Sequence, residues 1–149
     1  MTTVSNYARN FLMDYIFRGA GTLPDPWYYC LCTSAITKNL TGSQITETLY
    51  SNYARLPIGV GTSYYSDIAI NKPGTTGQEA LITNTAKITF PAVGASVGLS
   101  IGYWAICDAS IYGNLWFFGS LSSGSGIPTT LKSPQFGIGD FILRFSEVL

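Results

Sequence analysis

The chain has 149 residues, 46% of them hydrophobic and only 11% charged, with eight basic residues against eight acidic ones and no histidine. That length suits one domain with one core, expected over 1–149, and the low charge leaves a surface built from Ser, Thr, Asn, Gly and Tyr that can meet a partner with little charge desolvation. The basic residues stand singly, which argues against a phosphate-tracking stripe and a nucleic-acid partner, and no run approaches the roughly 18 apolar residues of a membrane span.

The first element is a helix over 6–18. Ala8, Phe11, Leu12, Tyr15 and Ile16 recur at three- and four-residue steps, Ser5 offers an N-cap, Arg18 complements the C-terminal dipole, and Gly19 supplies a left-handed stop. Such a helix either covers an open part of a sheet or serves as an arm on a neighbouring subunit. Met1-Thr2-Thr3 shows neither the basic nor the apolar region of a secretory leader.

After Pro24 and Pro26 the character changes to β, giving a β domain over 27–149. Strands are expected near 27–33, 53–60, 84–90, 100–107, 114–121 and 140–146, with weaker candidates near 63–70 and 129–137. From Asn84 to Phe90 the pattern alternates, with Ala86, Ile88 and Phe90 on one side and Thr85, Lys87 and Thr89 on the other. Ile101–Cys107 and Leu115–Phe118 are apolar on both faces, as in a sheet covered twice, and Asp108–Asn114 reads as the turn between them. The expected fold is therefore mainly β, an antiparallel β-sandwich or jelly roll with one N-terminal α-helix. The pentapeptide Ser-Asn-Tyr-Ala-Arg occurs at 5–9 and at 51–55, but the flanking sequences differ and no repeat is implied.

The chemistry of the chain is sparse. Without histidine, Ser-His-Asp and Cys-His catalysis are excluded, and the acids are too scattered for a glycosidase pair. Cys30, Cys32 and Cys107 are an odd set read as reduced, buried, small apolar side chains. Three thiols without histidine do not make a zinc site, so neither metal nor cofactor is expected. The run from Gly119 to Gly126 lacks the Gly-Lys-Ser/Thr ending of a phosphate loop and reads as a flexible connector. What stands out is the aromatic content, 14% of the chain with ten tyrosines. Tyr15, Trp27, Tyr64, Tyr65, Trp104 and Trp116 are the candidate interface residues, because large aromatics anchor interfaces as well as cores.

Asn6–Gly19, Tyr53-Ala54-Arg55, Asn84–Pro91, Ile101–Asp108, Gly113–Leu121 and the closing Gly137–Phe145 follow one another in an order that resembles the small tail-fibre-like proteins of tailed bacteriophages. The resemblance spans most of the chain and carries no catalytic signature. It implies a non-enzymatic, oligomeric β module on the exterior of a virion, made in the cytoplasm of a bacterial host. The shaft of a complete fibre, whether heptads, Gly-X-Y or a repeated β unit, is not present. The reading therefore leans to a capsid decoration or cement protein, with a tail fibre, tail tip or baseplate component that binds a host receptor or glycan as the alternative. Its expected partners are further copies of itself, commonly as a trimer in cement proteins, and the major capsid protein or tail and baseplate proteins. A host surface glycan is a further candidate, with no nucleic acid and no membrane insertion.

Overall fold

The computed structural model describes residues 2–66, 69–70, 79–95, 98, 100–121 and 130–146. Their elements in chain order are β1 (Thr2–Val4), α1 (Asn6–Arg18), β2 (Trp27–Cys32), β3 (Leu56–Ile58), β4 (Ala69–Ile70), β5 (Glu79–Thr83), β6 (Ile88–Thr89), β7 (Tyr103–Cys107), β8 (Leu115–Ser120), β9 (Gln135–Phe136) and β10 (Ile142–Ser146). The protein is mainly β, with antiparallel sheets and one helix near the N-terminus. Of the Gly- and Ser-rich run, Gly119 and Ser120 end β8, and the expected connector at 122–126 lies outside the described residues.

The central sheet has the order β1-β8-β7-β2-β3. Its side chains alternate as strand geometry requires. Tyr29 and Leu31 of β2 and Trp104 and Ile106 of β7 face one core, which β6 and the following loop complete with Ile88 and Phe90, and the start of the last strand region with Phe141. Cys30, Cys32, Ala105 and Cys107 face the other way, where Leu115 and Phe118 join them and the 36–45 segment closes over them with Ile36, Leu40 and Ile45. The sheet is thus covered on both faces by its own chain. The twofold apolar pattern of β7 and β8 is explained without a neighbouring subunit.

Two small sheets, β10-β5-β4 and β6-β9, complete the described β structure. Asn84 links them. Its side-chain amide donates to the carbonyls of Ala86 and Gly137 at 2.8 and 2.7 Å, while its Oδ1 accepts from the Phe141 amide at 2.9 Å. The expected strand 84–90 is interrupted: Asn84 makes an isolated antiparallel bridge with Tyr65, and ladder pairing resumes only at Ile88. Ile88 and Phe90 are buried and Thr85, Lys87 and Thr89 exposed as the alternation requires, but Ala86 is exposed. The expected strand 53–60 shortens to Leu56–Ile58, and β1 and β5 had no counterpart in the sequence reading.

The helix begins and ends where its caps stand. Ser5 is fully buried; its hydroxyl donates to the Leu115 carbonyl and accepts from the Ala8 amide at 3.1 Å, so one side chain caps α1 and pins it to β8. Gly19 closes the other end at φ 64°, a conformation that costs a residue without Cβ nothing. The second Ser-Asn-Tyr-Ala-Arg copy forms no helix: Ser51 and Asn52 lie in a turn, and Arg55 is buried where Arg9 is exposed.

Candidate interaction surface

Trp116 is the pivot on which α1 sits. In the β7–β8 ladder Ile106 pairs with Phe117 and Cys107 with Leu115, so Trp116 is the extra residue of a β-bulge and its ring is turned out of the sheet's alternation. Phe11 and Tyr7 meet it edge-on at ring-centre distances of 4.8 and 5.5 Å, and Trp27 does so at 4.9 Å. Its indole N–H donates to Asp108 at 3.2 Å, and the same carboxylate accepts from the Asn114 backbone and side-chain amides at 2.7 and 2.8 Å. One carboxylate therefore fixes both the turn at 108–114 and the platform under the helix.

Only the N-terminal half of α1 uses that platform. Ala8 is buried and Phe11 and Leu12 half-buried, whereas Met13, Ile16 and Phe17 are 59%, 65% and 74% exposed. Those three stand at i, i+3 and i+4, which places them on one face of the helix. Tyr15 stacks on Phe11 at 6.2 Å and is 42% exposed. From Phe11 to Phe17 the one polar residue is Asp14, so this half of the helix is apolar all round, a pattern that belongs to buried helices.

A second aromatic region lies over the central sheet. Tyr65 forms the wall between two neighbouring grooves of about 240 and 220 Å³. The first also takes in Tyr64, Pro57 and Lys87; the second takes in Trp27, Val60, Phe117 and Leu143. Tyr65 is held by a hydroxyl–hydroxyl hydrogen bond to Tyr29, and burial, with the Tyr65 neighbour adding to it, pushes the Tyr29 phenol far above its ordinary value. Both hydroxyls stay neutral.

The six candidate aromatics thus fall into three settings. Trp27, Tyr64 and Tyr65 are brought together along the grooves, and Tyr15 stands apart on the exposed half of α1. Trp104 and Trp116 are corrected: at 6% and 1% exposed they are interior residues, the first packed edge-on against Phe141 at 4.8 Å and the second held under α1. The sequence reading missed Met13 and Phe17 because it looked for a single stripe. Their signal was the unbroken apolar composition around Asp14.

The end of the sheet near the 108–114 turn is tied by a buried ion pair. Arg55 contacts the Glu47 carboxylate at 2.6 Å and also donates to the carbonyls of Gly42, Ala109 and Tyr112 at 2.7–2.8 Å. Burial lowers the affinity of that guanidinium for its proton, but the hydrogen bond to Glu47 and the charge of its carboxylate outweigh it, and the group is held above its ordinary value. Gly42 lies so close to this turn that a Cβ would come within 2.0 Å of the Tyr112 carbonyl oxygen.

A family model described as Podophage GP4 fiber I protein gp80 matches residues 3–143. No match is found among curated proteins. The family match agrees with the fibre alternative of the sequence reading and gives no support to its preference for capsid decoration. Matched over nearly its whole length, the chain belongs to the Podophage GP4 fiber I protein gp80 family, a phage fibre family and hence a component of the virion.

Proposed function

We propose that this chain is a non-enzymatic structural subunit of the tail-fibre apparatus, an assembly module that binds other copies of itself and tail or baseplate proteins. The observation that carries the proposal is the family match over residues 3–143 combined with the use made of the interior polar groups. Arg55, Asp108 and Asn84 use their hydrogen bonds to hold loops in place. This is the role of a scaffold that holds loops and a helix in fixed positions for contact. The exposed half of α1 provides the contact area.

The deciding experiment is quantitative mass spectrometry of purified particles, and of separated heads and tails, against the major capsid protein. A few to a few dozen copies travelling with the tails support the proposal. A ratio near one to the capsid protein, or recovery with heads alone, would move the chain to the capsid, and absence from particles would remove it from the virion.

The grooves beside Tyr65 favour a second role for the same module, binding of a host surface glycan, since exposed tyrosine rings stack on the apolar faces of sugars. Tyr64→Ala would then reduce attachment to host cells while particles remain intact. Unchanged attachment would end that role.

A further inference from the structure

We infer that the groove between β3 and β6 takes a carboxylate-bearing sugar, with the Tyr64 ring as its stacking platform and the Lys87 ammonium as the partner of its carboxylate. The inference rests on the reading of the grooves beside Tyr65 as a glycan site and names the class of sugar.

The walls exclude one kind of occupant. Among the described residues β3 is an edge of the central sheet and β6 pairs with β9 on one side, so two strand edges from different sheets border one groove. Such edges invite an extended peptide. These strands, however, are three and two residues long, and Pro57, which has no amide hydrogen, is the middle residue of the first. Short strands and an edge proline are the features that block strand addition.

Tyr64 is set for a flat ligand. Its ring rests against Gly59, where a Cβ would stand 3.0 Å away, and its backbone carbonyl accepts from the Thr85 amide at 2.9 Å. The ring is thus held from one side and is 42% exposed. Tyr65 is fixed by its hydroxyl bond to Tyr29. Side chains held in this way lose little freedom when a ligand arrives. A cavity of about 150 Å³ holds a benzene ring, so the groove's 240 Å³ holds one six-membered sugar ring with its substituents.

The charge decides the class of sugar. Lys87 is the one charged residue among the described residues that line this groove. It is exposed, and the ion pairs among the described residues, Arg18 with Asp14 and Arg55 with Glu47, leave it without a carboxylate. Alternation turns Lys87 and Thr89 the same way with Ile88 buried between them, so an ammonium and a hydroxyl stand together on the side away from the core. A neutral sugar leaves that ammonium unused; a carboxylated one sets its apolar face on Tyr64 and its acid on Lys87. The neighbouring groove, with Trp27, Val60, Phe117 and Leu143, has no charged residue among those described and does not share the preference.

The test is binding of the purified full chain to immobilised polygalacturonate, alginate, hyaluronate and polysialate, each beside its carboxyl-reduced form, in which the acid has become an alcohol and the ring is kept. At least one acidic polymer should bind, and its reduced form should bind about fivefold more weakly, the effect of one exposed ion pair. Concentrated salt should narrow that difference. Lys87→Gln should bring the acidic form down to the reduced one, and Lys87→Arg should keep the preference. Lys38→Gln, at an exposed lysine on the segment that covers the other face of the sheet, should change nothing. Tyr64→Ala should weaken both forms about tenfold. Binding to none of the polymers, equal binding of both forms, equal binding of polyglutamate, or a preference that survives Lys87→Gln would each overturn the inference. Equal binding of both forms, lost in Tyr64→Ala, would keep the glycan role for a neutral sugar, so the two readings fail separately.

Discussion

The Arg55 guanidinium meets the Glu47 carboxylate through both Nε and Nη2, at 3.0 and 2.6 Å, and this pair joins two segments that both run beside β2. The remaining Arg55 hydrogens reach the carbonyls of Gly42, Ala109 and Tyr112. The second Glu47 oxygen accepts from the Tyr53 hydroxyl at 2.7 Å, and that hydroxyl in turn accepts from the Leu31 amide of β2 at 3.0 Å. The chain of bonds runs from β2 of the central sheet to two loops. Because the guanidinium is a flat fork with five donors, it can serve the carboxylate and three carbonyls at once, which an ammonium cannot.

Arg55→Lys should therefore destabilise the protein nearly as much as Arg55→Ala. Breaking a buried pair costs about 3–5 kcal/mol because the remaining carboxylate is left uncompensated, and a lysine at this site would satisfy part of that loss at best. Denaturant unfolding would measure both variants; full retention of stability by the lysine variant would show that charge alone, and not the fork, holds the loops.

Asn84→Asp keeps the shape of the side chain and removes its two donors. The carbonyls of Ala86 and Gly137 would then face a carboxylate instead of an amide. With Asn84 1% exposed, both the lost bonds and the buried charge count against the variant, and a loss of about 2–4 kcal/mol is expected. Since the neutral acid can still donate one hydrogen bond, lowering the pH should recover part of the loss. Thermal unfolding of variant and wild type at pH 4 and pH 7 would check this, and equal stability at both values would count against the account.

How much of this was legible in the sequence depends on the range of the interaction. The helix was readable to its end residues because Ser5, the apolar spacing and Gly19 act within a few positions of one another. Strands β2, β7, β8 and β10 were readable from runs of β-branched and aromatic residues. The three residues of β1 are too few to show a period, and they owe their pairing to β8, more than a hundred residues away in the chain. The Arg55 network left no trace because most of its acceptors are backbone carbonyls, which every residue carries. Trp104 and Trp116 were misread for another reason: a large aromatic suits an interface and a core equally, and it is the bulge that turns Trp116 under the helix.

The buried thiols predict an alkaline limit to stability. Burial, with the Cys107 neighbour adding to it, raises Cys30 well above the ordinary thiol value of 9.0, and burial raises Cys32 likewise. In the unfolded chain both ionise near 9, while in the folded chain both keep their protons. The folded state then binds more protons than the unfolded one, so stability falls as pH rises. The contribution is complete below pH 9 and is lost progressively as pH climbs toward the raised folded values, at up to about 1.4 kcal/mol per pH unit for each thiol. Tyr29 and Tyr53, whose ordinary value is 10.0 and which burial also raises, join above pH 10. A series of melting temperatures from pH 7 to pH 11 should be flat and then decline from about pH 9; replacing Cys30 and Cys32 by alanine should move the onset toward pH 10. A flat series would refute the linkage.

Trp116→Ala tests whether α1 is docked by the bulge. The substitution removes the ring that Tyr7, Phe11 and Trp27 all meet, and it takes from Asp108 one of its donors. Truncating a buried tryptophan costs about 3–5 kcal/mol in general, part of it from the cavity left behind. Here the loss should be uneven. The central sheet keeps its ladder on either side of the bulge, while α1 keeps its Ser5 cap and loses most of its packing. Amide hydrogen exchange resolves the two: protection should fall across Asn6–Arg18 by more than it falls in β2 and β7. Trp116→Phe, which retains an aromatic ring for edge-on contact, should preserve more of the helix's protection than the alanine variant does. If exchange in the helix and the sheet rose together, the helix would be an integral part of the folding unit, and its exposed half could not be a separately anchored arm.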